Sequence, residues 1–82
     1  MATEVERAVE LKNQGNTAFA AHDWPTAIDF YTQAIELNPK EATFYANRAQ
    51  ANIKVEAHGY AIEDASKAIE LKPGFTKVRW YE

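Results

Sequence analysis

The sequence predicts an all-α protein, a solenoid of stacked helix hairpins with two complete hairpins and the start of a third, five helices in all. Two observations carry that prediction. Ala27-Ile28 recurs as Ala61-Ile62, and Ala34-Ile35-Glu36-Leu37-Asn38-Pro39 recurs as Ala68-Ile69-Glu70-Leu71-Lys72-Pro73, each 34 residues further on. The same shift lays Ala8 on Ala42 and Asn13 on Asn47, so the period covers a whole unit and not one shared helix. Internal periods of this length mark helical repeat proteins. A single hairpin is too small to bury its own apolar face; neighbours must stack, and stacking leaves a long concave groove.

Each element has a local reason. Thr3 and Glu6 form a capping box that opens a helix from about Glu4 to Ala21, with Val5, Ala8, Val9, Leu11, Ala18 and Phe19 at roughly helical spacing. His22-Asp23 ends it, and Asp23 is placed to cap a second helix carrying Pro25 in its first turn. Ala27, Ile28, Tyr31, Ala34 and Ile35 then recur every three or four residues until Pro39. The second hairpin repeats the plan. Glu41 to about Val55 carries Phe44, Tyr45, Ala49 and Ile53, and Ala57-His58-Gly59 turns into a helix ending near Leu71, where Glu63 and Lys67 stand four apart. A fifth helix is expected from Phe75 or Thr76. The units run from about 8 to 41, 42 to 75 and, in part, 76 to 82, as one domain over residues 1–82.

Composition narrows the function classes. Eighty-two residues allow one domain, burying roughly 60 to 65% of the unfolded chain's surface, so stability is marginal. Hydrophobic content of 46% with 26% charged residues is ordinary for a soluble globular chain. The acidic start Met1-Ala2-Thr3-Glu4-Val5-Glu6 is not a targeting signal, and no stretch is apolar enough to span a membrane. A cytoplasmic protein is expected, with the nucleus also open to it. There is no cysteine, hence no disulfide framework and no thiolate ligand or nucleophile. Nucleic acid is disfavoured, because nine basic residues are dispersed among twelve acids for a net charge of −3.

The 34-residue units resemble tetratricopeptide repeats. Leu11, Gly15, Ala27, Tyr31, Ala34 and Pro39 fall where that family's pattern has a large apolar residue, Gly, Ala, an aromatic, Ala and Pro. Tyr45, Ala49, Ala61, Ala65, Ala68 and Pro73 do so in the second unit. A narrower resemblance is to the two-carboxylate clamp of co-chaperone repeats. Lys12, Asn16, Asn47 and Lys77 match four of five clamp positions, which implies binding of the acidic Glu-Glu-Val-Asp C-terminus of heat-shock protein 90 or heat-shock protein 70. Lys12 and Asn16 are one turn apart on one face, and ammonium and amide groups converging there suit a terminal carboxylate. The fifth position departs from the pattern: Tyr81 stands where the family has Arg. Arg79, two residues from Lys77, points about 200° away from it on a regular helix. A lost charged partner costs about 1.5 to 3 kcal/mol, a ten- to hundredfold loss of affinity.

Within the clamp family the chain looks most like the N-terminal repeat domain of the serine/threonine-protein phosphatase 5 family, through Phe30 to Pro39 and Glu56 to Ala65, with Gly59-Tyr60 the discriminating detail. That resemblance implies a regulatory module without the catalytic domain; non-enzymatic co-chaperones of the stress-induced and small glutamine-rich types remain competing relatives.

Other residues receive plainer readings. Phe19, Gln50, Ile53 and Lys54 are candidates for the peptide groove. Arg48 points to a different face from Asn47 and packs its stem on a neighbouring helix. Trp24, Phe30, Tyr31, Phe44, Tyr45, Tyr60 and Phe75 read as core, while Glu4, Glu6, Glu10, Glu63 and Asp64 read as solvated. His22 and His58 belong to different units and make no metal or catalytic set, so neither cofactor nor catalysis is expected. Val78, Trp80 and Tyr81 would leave an apolar end that predicts association between copies, and a self-associating or autoinhibitory module with an incomplete groove is the alternative function.

Overall fold

The computed structural model describes residues 3–74. These fold into α1 (Glu4–Ala20), α2 (Trp24–Leu37), α3 (Ala42–Lys54) and α4 (His58–Leu71). The expected fifth helix, with Phe75, Lys77, Val78, Arg79, Trp80 and Tyr81, lies outside the described residues. α1 packs along α2 and α3 along α4; α2 joins the two hairpins by packing on α3, while α1 touches α3 only lightly.

The 34-residue period is built into the backbone. At the turn inside each hairpin, one residue takes the left-handed conformation: His22 in the first and Glu56 in the second, both with φ of 61°. Its N–H bonds back to the carbonyl of Phe19 or Ile53, and the next N–H, of Asp23 or Ala57, bonds to that of Ala18 or Asn52. This pair of bonds closes a helix C-terminus as a Schellman motif. Asp23 holds the N-cap position of α2 but its side chain makes no capping bond. Its own N–H closes the end of α1 on Ala18, while Pro25, which has no N–H, leaves one donor fewer to be capped in the first turn of α2. The capping box at Thr3 forms: the Thr3 hydroxyl accepts from Glu6 N–H, and the Glu6 carboxylate accepts from Thr3 N–H.

The core is thin. Ten of the fifteen buried hydrophobic residues described are alanines, so the helices approach closely and few large side chains fill the gap between them. Leu11, Ile35, Phe44 and Tyr45 fill one cluster, while Tyr31, 1% exposed, fills another with Ala27 and Ala51. Gly15 makes room for Tyr31. A Cβ at residue 15 would stand 2.5 Å from Tyr31 Cε1 and 2.7 Å from Cδ1. Gly59, at the second position of α4, is open by contrast: a Cβ there would meet nothing within 4 Å.

Several expectations are corrected. Val5 and Val9 are exposed, because the buried face of α1 is Ala8, Leu11 and Gly15 and both valines fall beside that stripe. Tyr60 is 69% exposed; it lies one residue off the α4 stripe of Ala61, Asp64, Ala65 and Ala68, a rotation of about 100°. Trp24 and Phe30 are half-buried. Asp64 is buried, for a reason given below. Lys67 pairs with Glu70, at 3.6 Å, and not with Glu63.

Gly15→Ala should destabilise the chain by about 1 to 3 kcal/mol, because the added methyl meets a buried ring. Gly59→Ala should stabilise it by about 0.5 to 1 kcal/mol, through helix propensity alone. Urea titrations monitored by circular dichroism read both signs. The bonds from Thr3 hold the exposed Glu6 carboxyl below its ordinary value of 4.5. A depressed folded-state pKa means that this contribution is complete above that value and is lost as pH falls through the lower one. Thermal scans of Glu6→Gln should therefore converge on the parent chain in acid and diverge from it at neutral pH.

Candidate functional site

α1 places Lys12, Asn16 and Phe19 along one side, each three or four residues from the next. α3 brings Asn47 beside Asn16. The Asn16 side-chain oxygen accepts from the Tyr31 hydroxyl at 2.6 Å and from the Asn47 amide at 3.3 Å. Two donors therefore converge on one exposed amide from two other helices. Asn47 is only 4% exposed, so it is a buried strut of this cluster as much as a surface donor. Lys12 is half-buried and forms no ion pair among the described residues. Asn13, one repeat before Asn47, is exposed, and its carbonyl accepts from the Thr17 hydroxyl.

Next to the amides, the four candidate groove residues come together. Phe19, Gln50, Ile53 and Lys54 line a pocket of about 360 Å³ between the ends of α1 and α3. Trp24 supports one wall: its ring meets Phe19 edge-on and stacks with His22, both with centroids 5.0 Å apart. The Lys54 ammonium lies 5.6 Å from the Trp24 ring centre, a cation–π contact that keeps a positive charge at the rim. Burial pushes the Tyr31 phenol up to about 12, so it stays a donor at any pH the protein meets. The surface thus offers amide N–H groups and ammonium groups beside an apolar recess, which suits an acceptor-rich, partly apolar ligand. Among the described residues no three His, Asp or Glu side chains gather to hold a metal ion, and no helix is long and apolar enough to cross a membrane. Lys77 and Arg79 lie outside the described residues.

A second polar cluster was not legible as such in the sequence. Arg48 donates to both oxygens of Asp64, at 2.8 and 2.7 Å, and to the Thr32 hydroxyl at 3.1 Å. Asn52 donates to Asp64 at 3.0 Å. Arg48 thus does more than pack its stem, and Asp64 is not solvated. The bond to Asp64 holds the guanidinium more firmly protonated than usual, against its burial. The missed signal was positional: Asp64 interrupts the apolar stripe of α4 at the place that Phe30 fills in the first unit. Arg48 and Asn52, one turn apart on α3, supply the matching donors. Together with Tyr60 and Glu63 they line a groove of about 450 Å³ over α3, on a face separate from the Asn16 cluster.

This is a stacked helix-hairpin protein whose two hairpins repeat each other down to their turn hydrogen bonds, with an amide cluster and an apolar pocket on α1 and α3. It belongs to the tetratricopeptide repeat family, whose profile matches residues 7–41. Among its relatives is serine/threonine-protein phosphatase T of Aspergillus oryzae, 58% identical over 78 residues, which are 95% of this chain and 16% of that protein. Human serine/threonine-protein phosphatase 5 is 51% identical over 73 residues, 89% of this chain and 15% of that protein. The chain therefore spans about one sixth of the length of these curated relatives. Among solved structures, the second TPR of Spaghetti (RPAP3) bound to the HSP90 peptide SRMEEVD superposes with a TM-score of 0.88 at 31% identity, covering 90% of this chain and 68% of that one.

Asp64→Ala should lower the stability of the chain by about 2 to 3 kcal/mol, because it strands the Arg48 guanidinium and the Asn52 amide at the α3–α4 contact. The midpoint of urea unfolding measures this.

Proposed function

We propose that this chain is a protein-interaction module that binds the acidic C-terminal peptide of a heat-shock protein 90 or heat-shock protein 70 chaperone, as the regulatory repeat part of a longer serine/threonine-protein phosphatase. The observation that carries the reading is the convergence of the Asn16 and Asn47 amides beside Lys12, with an apolar pocket adjoining them. A terminal carboxylate would take the Lys12 ammonium and the amide N–H groups in charge-assisted hydrogen bonds. An apolar side chain of the same peptide would enter the recess lined by Phe19 and Ile53. Lys77, which lies outside the described residues, is the further positive charge proposed for this peptide, with Tyr81 in the sequence where the family has Arg.

Support comes from two directions: the phosphatases at 51 and 58% identity, and a repeat domain of similar fold solved with a peptide ending in Glu-Glu-Val-Asp. Phosphatase activity would belong to parts of a longer protein, and the chain itself would carry no catalysis. The cytoplasm is the compartment in which such a module would meet its chaperone.

Calorimetric titration with a peptide ending in Met-Glu-Glu-Val-Asp, free acid against C-terminal amide, tests the reading. The free acid should bind with a dissociation constant on the order of micromolar and weaken with salt, while the amide should not bind. Lys12→Ala should weaken the free acid by roughly ten- to a hundredfold without unfolding the chain. Equal binding of acid and amide would instead favour a module that packs on a partner domain or on itself.

A further inference from the structure

The two ends of the Asn16 carboxamide are treated differently by their surroundings. Its oxygen faces inward and accepts from Tyr31 and from Asn47. The Tyr31 hydroxyl belongs to a ring that is 1% exposed, so it has no water to bond with in place of Asn16. Rotating the carboxamide by half a turn would place its NH2 group against the NH2 group of Asn47, two donors facing each other across 3.3 Å. The arrangement depends on Gly15, which lets the Tyr31 ring pass so close to α1 that its hydroxyl reaches the next residue.

We infer that Tyr31 is a positioning residue for the ligand face: its hydroxyl fixes the Asn16 carboxamide with the NH2 group outward, so that this position receives an acceptor such as a carboxylate and refuses a donor. The functional half of the inference rests on the carboxylate-binding reading above; the structural half, the locked carboxamide, does not. Tyr31 makes the lock together with Asn47: the hydroxyl could accept as well as donate, but a flipped carboxamide would set two NH2 groups against each other and leave the buried hydroxyl proton without an acceptor. Its neutral form persists well beyond neutral pH, so the lock carries no pH dependence between about 6 and 9.

Two measurements on the 82-residue chain separate the halves. In a proton–nitrogen spectrum of the free protein, the Asn16 side-chain NH2 pair should be sharp and distinct, and in Tyr31→Phe it should broaden or move toward the position of a solvated asparagine. An unchanged Asn16 pair in Tyr31→Phe would overturn the inference whether or not any peptide binds. With the Met-Glu-Glu-Val-Asp free acid, Tyr31→Phe should bind roughly three- to tenfold more weakly. The same substitution made on Asn16→Ala should change nothing further, because Tyr31 acts through Asn16. An equal loss in both backgrounds would mean a general effect on the fold, and would overturn the inference. Asn16→Asp is the complementary variant: it keeps an acceptor for Tyr31 but presents no NH2 group, and it should lose binding while staying folded. Full binding by Asn16→Asp would also overturn the inference. Failure of the parent chain to bind the free acid would defeat the carboxylate-binding reading itself, and the spectrum alone would then decide about the lock.

Discussion

The close approach of α2 to α1 at Gly15 is the constraint on which the rest of the molecule depends. With so many alanines in the interior, the helices have little side-chain bulk with which to set their spacing. One large ring, Tyr31, is driven fully between them, and only a residue without a Cβ can stand opposite it. That single contact fixes the depth of the first hairpin and carries a hydroxyl across to Asn16. Through Asn47 it reaches α3 and therefore the second repeat. A packing solution thus ends in a polar arrangement at the surface.

The two repeats have the same backbone but solve their interiors differently. Where the first unit places Phe30 and Ala18, the second has Asp64 and Asn52, with Arg48 completing a partly buried ion pair. A pair of this kind gives little net stability over apolar packing, yet each member becomes costly to remove alone. Its bidentate geometry also fixes the rotation of α3 against α4, since Arg48 and Asn52 must both face one carboxylate. The same helix, α3, turns Arg48 to this anchor and Asn47 toward Asn16. One helix is therefore oriented by two polar contacts on different faces, and the position of the Asn16–Asn47 cluster follows from both.

Much of the fold was legible because helices and their ends are decided locally. The capping box at Thr3, Pro25 in the first turn of α2 and the Ala-rich stripes name their elements without reference to anything distant. Expectation and structure part where distance in sequence has to be crossed. Tyr60 reads as core because it is aromatic, and only the direction of the α4 stripe shows that it faces out. Asp64 reads as solvated because it follows Glu63, and only the arrival of Arg48 from sixteen residues away makes its burial tolerable. Val5 and Val9 have the right character and the wrong angle.

What the sequence by itself determined is the architecture: a period of 34 residues and an all-helical hairpin unit, with breaks between helices near 22–23 and 57–59. It also determined that Lys12, Asn16 and Phe19 share one side of a regular helix, whatever else surrounds them. Only the tertiary structure decided what those residues present. A side-chain amide has no preferred orientation of its own, and it was the Tyr31 hydroxyl and the Asn47 amide, brought in from other helices, that turned the oxygen of Asn16 inward. The reason is physical: periodicity is a property of the backbone and can be counted along the chain, whereas hydrogen-bond direction belongs to groups that meet only after packing.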